Sequence, residues 1–148
     1  MFAESKLAPV GDLSEKVLTA NRELDRVLLE GHRLKDSQMI RTTFSKSPDV
    51  FFIQPGGVLN KGHENIGKSF QNWFDTLDYV TGEIKDISYI PAGPGVIALG
   101  NVIYSRRPKN GIDEKKYVIW TDYRIRENKK WVYLFRHAHW PLEIKTIE

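Results

Sequence analysis

Residues Tyr117–Pro141 read YVIWTDYRIRENKKWVYLFRHAHWP, and the fold turns on how this stretch pairs with itself. Two arms dense in aromatic and β-branched residues flank the polar cluster Glu127-Asn128-Lys129, the composition of two half-buried strands and a hairpin turn. A two-residue loop on Asn128-Lys129 needs positive φ at both positions, which suits Asn-Gly and penalises lysine, so a three-residue loop is expected. Pairing then runs Arg126 with Lys130, Asp122 with Leu134 and Trp120 with Arg136. One face carries Val118, Trp120, Asp122, Arg124, Val132, Leu134, Arg136 and Ala138. The other carries Tyr117, Ile119, Thr121, Tyr123, Ile125, Trp131, Tyr133, Phe135, His137 and His139. Neither is a plain solvent face, so the hairpin is expected to be covered on both sides.

Upstream, the pattern changes period. Val17, Leu24, Leu28 and Leu34 recur at helical spacing behind Ser14 as N-cap, which predicts a first helix over about 14–33. A shorter helix capped by Asp36 or Ser37 carries Met39, Ile40 and Phe44 and stops before Ser47-Pro48. Val50–Ile53 and Val58-Leu59 flank the turn Gln54-Pro55-Gly56-Gly57 as a small hairpin. Gly62 then opens a third helix with Ile66, Phe70, Trp73, Phe74 and Leu77 on one stripe. Strands follow over 79–90 and 96–105. Three helices and a small hairpin followed by four long antiparallel strands make an α+β domain, the helices laid on one sheet face.

The bulk properties narrow the class. A chain of 148 residues with 41% hydrophobic content is long enough for one well-filled core and short for two. A single domain is therefore expected over 13–141, between tails at 1–12 and 142–148. With no cysteines, disulfide and thiol chemistry are excluded, and four scattered histidines make a structural zinc site unexpected. No cofactor is called for. The segment MFAESKLAPVGDL lacks the apolar run of a signal peptide, and no run of about 18 apolar residues occurs, so a cytoplasmic location and no membrane partner are expected. The net charge is +3, but its basic clusters, Arg106-Arg107-Lys109, Lys115-Lys116 and Lys129-Lys130, flank turns and form no phosphate-tracking stripe, so no nucleic acid is expected.

This order, with the stretch DVFFIQPGGVLNKGHENI and the ending TDYRIRENKKW…HAHWP, resembles the nuclear transport factor 2-like superfamily, and especially its SnoaL-like branch. The ending is also similar to the association domain of calcium/calmodulin-dependent kinase. The resemblance implies a cone: a curved antiparallel sheet with three N-terminal helices packed on its concave face, and an outer sheet face that commonly builds a homodimer. It implies no single activity, because the superfold hosts isomerases, cyclases, dehydratases, hydrolases and non-catalytic modules. In the steroid isomerase branch an aspartate base precedes the Pro-x-Gly turn. This chain has Gln54 there, an amide that takes no proton near neutral pH, so that mechanism is not carried over.

Candidates for chemistry follow. Asp122 is an acid in mid-strand, where a covered carboxylate needs a partner. Arg136 on the neighbouring strand supplies one, and the two are the candidate catalytic pair, with a structural ion pair as the alternative. Trp120, Gln54, Trp73, Phe70 and Leu134 are the candidate ligand-binding residues. His137 and His139 sit two apart on one strand face, an incomplete metal set; with Tyr123, Tyr133 and Phe135 they form the candidate dimer interface. His63 and Glu64 read as cap chemistry, and His32 as favourable beside the helix dipole. The expected function is a small-molecule pocket protein, a lyase or isomerase acting on a hydrophobic or mixed-polarity molecule. The alternative is a non-catalytic ligand-binding or homo-oligomerisation module.

Overall fold

The computed structural model describes residues 13–141; the two expected tails lie outside the described residues. The helices are α1 (Glu15–Arg33), α2 (Ser37–Arg41) and α3 (His63–Phe74), and the strands β1 (Phe51–Ile53), β2 (Leu59–Lys61), β3 (Leu77–Ala92), β4 (Gly95–Pro108), β5 (Glu114–Glu127) and β6 (Lys130–His139). Ser14 caps α1 by accepting from the Val17 amide, and Asp36 caps α2 by accepting from the Gln38 and Met39 amides. Between them the chain turns at Lys35, φ 50°. Gly31 makes room for this turn, since a Cβ there would meet the Ile40 side chain at 2.6 Å.

The six strands form one sheet in the order β2-β1-β6-β5-β4-β3. It is an α+β fold with the three helices against one face of an unclosed sheet. The wholly antiparallel sheet expected from the sequence needs one correction, because β1 runs parallel to β6, Phe51 beside Phe135 and Ile53 beside His137. The link that follows α2 lies along β6: Phe44 bridges Tyr133, whose amide donates to the Thr43 carbonyl and whose carbonyl accepts from Ser45, both at 2.8 Å. That contact sets β1 in the direction of its neighbour.

The core fills the concave side. Leu24 and Leu28 of α1, Ile40 of α2, and Ile66, Phe70 and Phe74 of α3 pack on Val80, Val102, Val118 and Trp120 from the sheet. Gly100 lies opposite Trp120, and a Cβ on it would fall 2.6 Å from the indole ring. The glycine lets that ring lie flat across β4.

The hairpin register also differs from expectation. Asn128 and Lys129 both adopt positive φ, 50° and 66°, so the loop has two residues and Glu127 pairs with Lys130. A bulge then intervenes: Arg124 faces Tyr133, Tyr123 faces Phe135, and Leu134 is left without a partner. Beyond it Asp122 faces Arg136, not Leu134, and Trp120 faces Ala138, not Arg136. Tyr133, opposite Arg124, is fully buried under Phe44.

Candidate functional site

A cavity of about 590 Å³ opens between α3, the β1–β2 hairpin and the middle strands. Leu28 and His32 of α1, Phe52 of β1, Phe70 and Trp73 of α3, Tyr104 of β4, Val118 of β5 and Ala138 of β6 make its apolar wall. The aromatic side chains hold one another. Phe52 and Phe70 stack at 5.1 Å, and His32 meets Phe70, Trp73 and Phe74 edge-on. Of the expected ligand-binding residues, Phe70, Trp73 and Gln54 line this cavity, and Arg136 reaches it.

Trp120, Leu134 and Asp122 do not line it. Trp120 lies beneath Arg136, whose guanidinium carbon is 4.6 Å from the ring centroid. Leu134 belongs to the bulge. Asp122 is fully buried behind Arg136, in a polar network that the sequence reading did not foresee. Asp25 of α1 accepts both terminal nitrogens of Arg124 at 2.7 and 2.8 Å, together with the hydroxyls of Tyr133 (2.7 Å) and Tyr89 (2.6 Å). Asp122 accepts Arg124 Nε at 2.7 Å and Nη2 at 3.2 Å, and Arg136 Nη1 at 2.8 Å. Burial pushes the Asp122 carboxyl up, opposed by the two guanidinium charges. Three hydrogen bonds from groups that do not deprotonate favour its charged form.

Donor counting separates the two arginines. A guanidinium has five N–H groups. Arg124 directs five hydrogen bonds at Asp25, Asp122 and the Asn21 carbonyl. Arg136 makes one to the described residues, with Asp122, lies beside the Tyr104 hydroxyl, and lines the cavity. The first arginine has all its donors engaged within the fold, and the second does not.

His32 is the titratable base on the wall. Its Nδ1 lies 2.7 Å from the Leu28 carbonyl, which only accepts, so Nδ1 carries the proton and Nε2 accepts, at 3.5 Å, from the Tyr104 hydroxyl. Burial pulls His32 down to about 4, outweighing the bond to Leu28. The ring is therefore neutral at physiological pH. Burial likewise raises Tyr104, with the charge of Arg136 opposing.

Gln54 is oriented by Ser69 and Asn60, which donate to its Oε1 at 2.7 and 3.2 Å and leave Nε2 as a donor. The helical stripe Asn21, Leu24, Asp25, Leu28, His32 was the signal for the residues missed, since the 3- and 4-residue steps put Asp25 and His32 on the buried face of α1.

On the opposite sheet face, Tyr123 packs on Phe135 at 6.0 Å, Phe135 stacks on Phe51 at 5.2 Å, and the rings of His137 and His139 are 5.9 Å apart. Tyr133 does not join them, because the bulge turns it inward. No group of three or more His, Cys, Asp or Glu able to hold a metal occurs among the described residues. Nor is any helix among them long and apolar enough to cross a membrane.

No family model matches the chain, and no curated protein matches it. Solved structures do. A nuclear transport factor 2-like superfamily protein from Salmonella enterica superposes with a TM-score of 0.83 at 17% identity, over 92% of this chain and 99% of that one. A candidate dehydratase of the same family from Streptomyces avermitilis gives 0.78 at 13% identity, over 87% and 99%. A candidate calcium/calmodulin-dependent protein kinase type II association domain from Thiobacillus denitrificans gives 0.68 at 13%, over 82% and 94%. At these identities the likeness concerns architecture: the chain has the nuclear transport factor 2-like fold.

Proposed function

We propose that this chain is a small-molecule pocket protein, in which a largely apolar molecule enters the cavity and seats a polar oxygen against Arg136. The observation that carries this reading is a buried guanidinium, not saturated by Asp122, in the wall of an open, aromatic-lined cavity. The Nε2 donor of Gln54 adds to a surface suited to a carbonyl or hydroxyl oxygen. Mass spectrometry of small molecules released from the purified protein tests it directly. An apolar, oxygen-bearing compound present with the unaltered chain and lost from Arg136→Met supports the reading; a compound retained equally by both contradicts it.

A second reading, favoured by the Nε2 lone pair of His32 on the same wall, is a cofactor-independent lyase or isomerase. Arg136 would stabilise the enolate oxygen formed when His32 Nε2, released from the Tyr104 hydroxyl, takes a proton from the carbon beside the carbonyl and later returns it. The candidate dehydratase among the structural neighbours supports that reaction class. Against turnover stands the low proton affinity of His32, held at about 4 by burial. Among the described residues no carboxylate lines the cavity to take over as base, and Gln54 gives no steroid-isomerase route. Binding is therefore the primary reading. Turnover of the released compound that His32→Phe abolishes, with binding retained, would reverse that order.

A further inference from the structure

The cavity has two electrostatic zones. Among the described residues its lining includes Lys61, Lys68, Arg106, Lys116 and Arg136 and no aspartate or glutamate, although the chain holds 19 acidic side chains against 22 basic ones. At the deep end charge is balanced, because Arg124 and Arg136 offset Asp25 and Asp122. Arg106 is likewise held by Glu114 at 2.7 Å. Lys61 of β2, Lys68 of α3 and Lys116 of β5 come from three separate elements and form no ion pair among the described residues. Beside them Trp140, with Lys116 6.0 Å from its ring centroid, adds an apolar lip.

Resting on the pocket reading above, we infer that the ligand is an amphipathic carboxylate that enters neutral end first. Its charge stays among Lys61, Lys68 and Lys116 at the mouth, its apolar body lies along Phe70 and Trp73, and a neutral oxygen at the far end meets Arg136. The ordering follows from desolvation. A full negative charge carried to the deep end would join a network already balanced and lose its water without a net cation to replace it. At the mouth the carboxylate keeps part of its hydration and meets three ammonium groups that form no ion pair among the described residues. A neutral oxygen at Arg136 adds hydrogen bonds and leaves the balance unchanged.

The test uses 6-hydroxy-2-naphthoate, a rigid aromatic carboxylate with a hydroxyl at the opposite end, beside its methyl ester, 2-naphthoate and 2-naphthylmethylamine. Affinities are read by fluorescence titration at low and high salt. The hydroxy acid is expected to bind at least ~10-fold tighter than its ester at low salt, a preference that shrinks as salt screens the lysines. Lys61→Gln, Lys68→Gln and Lys116→Gln together should abolish the preference. Arg136→Met should weaken acid and ester alike and remove the advantage of the hydroxy acid over 2-naphthoate. An ester that binds as tightly as the acid, or an amine that binds tighter, overturns the carboxylate assignment and leaves the pocket reading standing. Failure of all four compounds to bind overturns both.

Discussion

Arg124 and Arg136 share Asp122, yet the fold uses them differently, and the difference is measurable. Replacing Arg124 by methionine leaves Asp25 and Asp122 buried without their common partner, which should cost about 3–5 kcal/mol of stability. In Arg136→Met the Asp122 carboxylate keeps Arg124, so the loss should stay at about 2 kcal/mol. Urea midpoints check the order; equal losses would mean that Arg136 is as structural as Arg124. His32 sets a pH dependence whose sign is fixed by its burial. The unfolded chain takes up a proton as pH falls through 6.5, whereas the folded chain resists until about 4. Stability is therefore unaffected above 6.5 and declines between 6.5 and 4, by about 3 kcal/mol at the lower end. His32→Leu should lose that much less than the unaltered chain over the same range, measured by denaturant unfolding at pH 7 and pH 4. An identical decline in both would show that the ring is protonated in the fold.

Periodicity gave α1, α3 and the succession of strands along the chain, because their apolar stripes and caps are local features that tertiary packing reinforces; it did not give their order in the sheet. The hairpin register was not legible, for two physical reasons. Lys129 tolerates the left-handed region despite its side chain, so the steric argument for a longer loop fails. A bulge carries no sequence mark of its own, yet it returns Asp122 to a place opposite Arg136 and moves Tyr133 across the sheet. The acid–arginine contact is therefore present, but by a different pairing from the one derived. The site was half legible. Aromatic residues on α3 and Gln54 at the turn announce themselves by position, whereas Asp25 reads as a solvent-facing acid until its place on the stripe is weighed against its charge. Lys129→Gly should relieve the loop and stabilise the protein by about 1 kcal/mol in thermal or denaturant unfolding. Destabilisation instead would contradict the two-residue turn.

For the whole molecule, the outer face with Phe51, Tyr123, Phe135, His137 and His139 is proposed to pair with a second copy about a two-fold axis. Sedimentation at micromolar concentration should give a dimer that Phe135→Glu splits, and a monomer of the unaltered chain would refute the pairing. That face and the cavity lie on opposite sides of the sheet, so pairing leaves the mouth between α3 and the β1–β2 hairpin open. The central claim is that the hollow exists and that Arg136 serves it. A crystal structure of the protein soaked in 6-hydroxy-2-naphthoate tests this most directly. The account predicts the naphthyl body against Phe70 and Trp73, with an oxygen within hydrogen-bonding distance of Arg136. A cavity closed by its own side chains, or a guanidinium turned back to engage Asp122 with all its free donors, would contradict it.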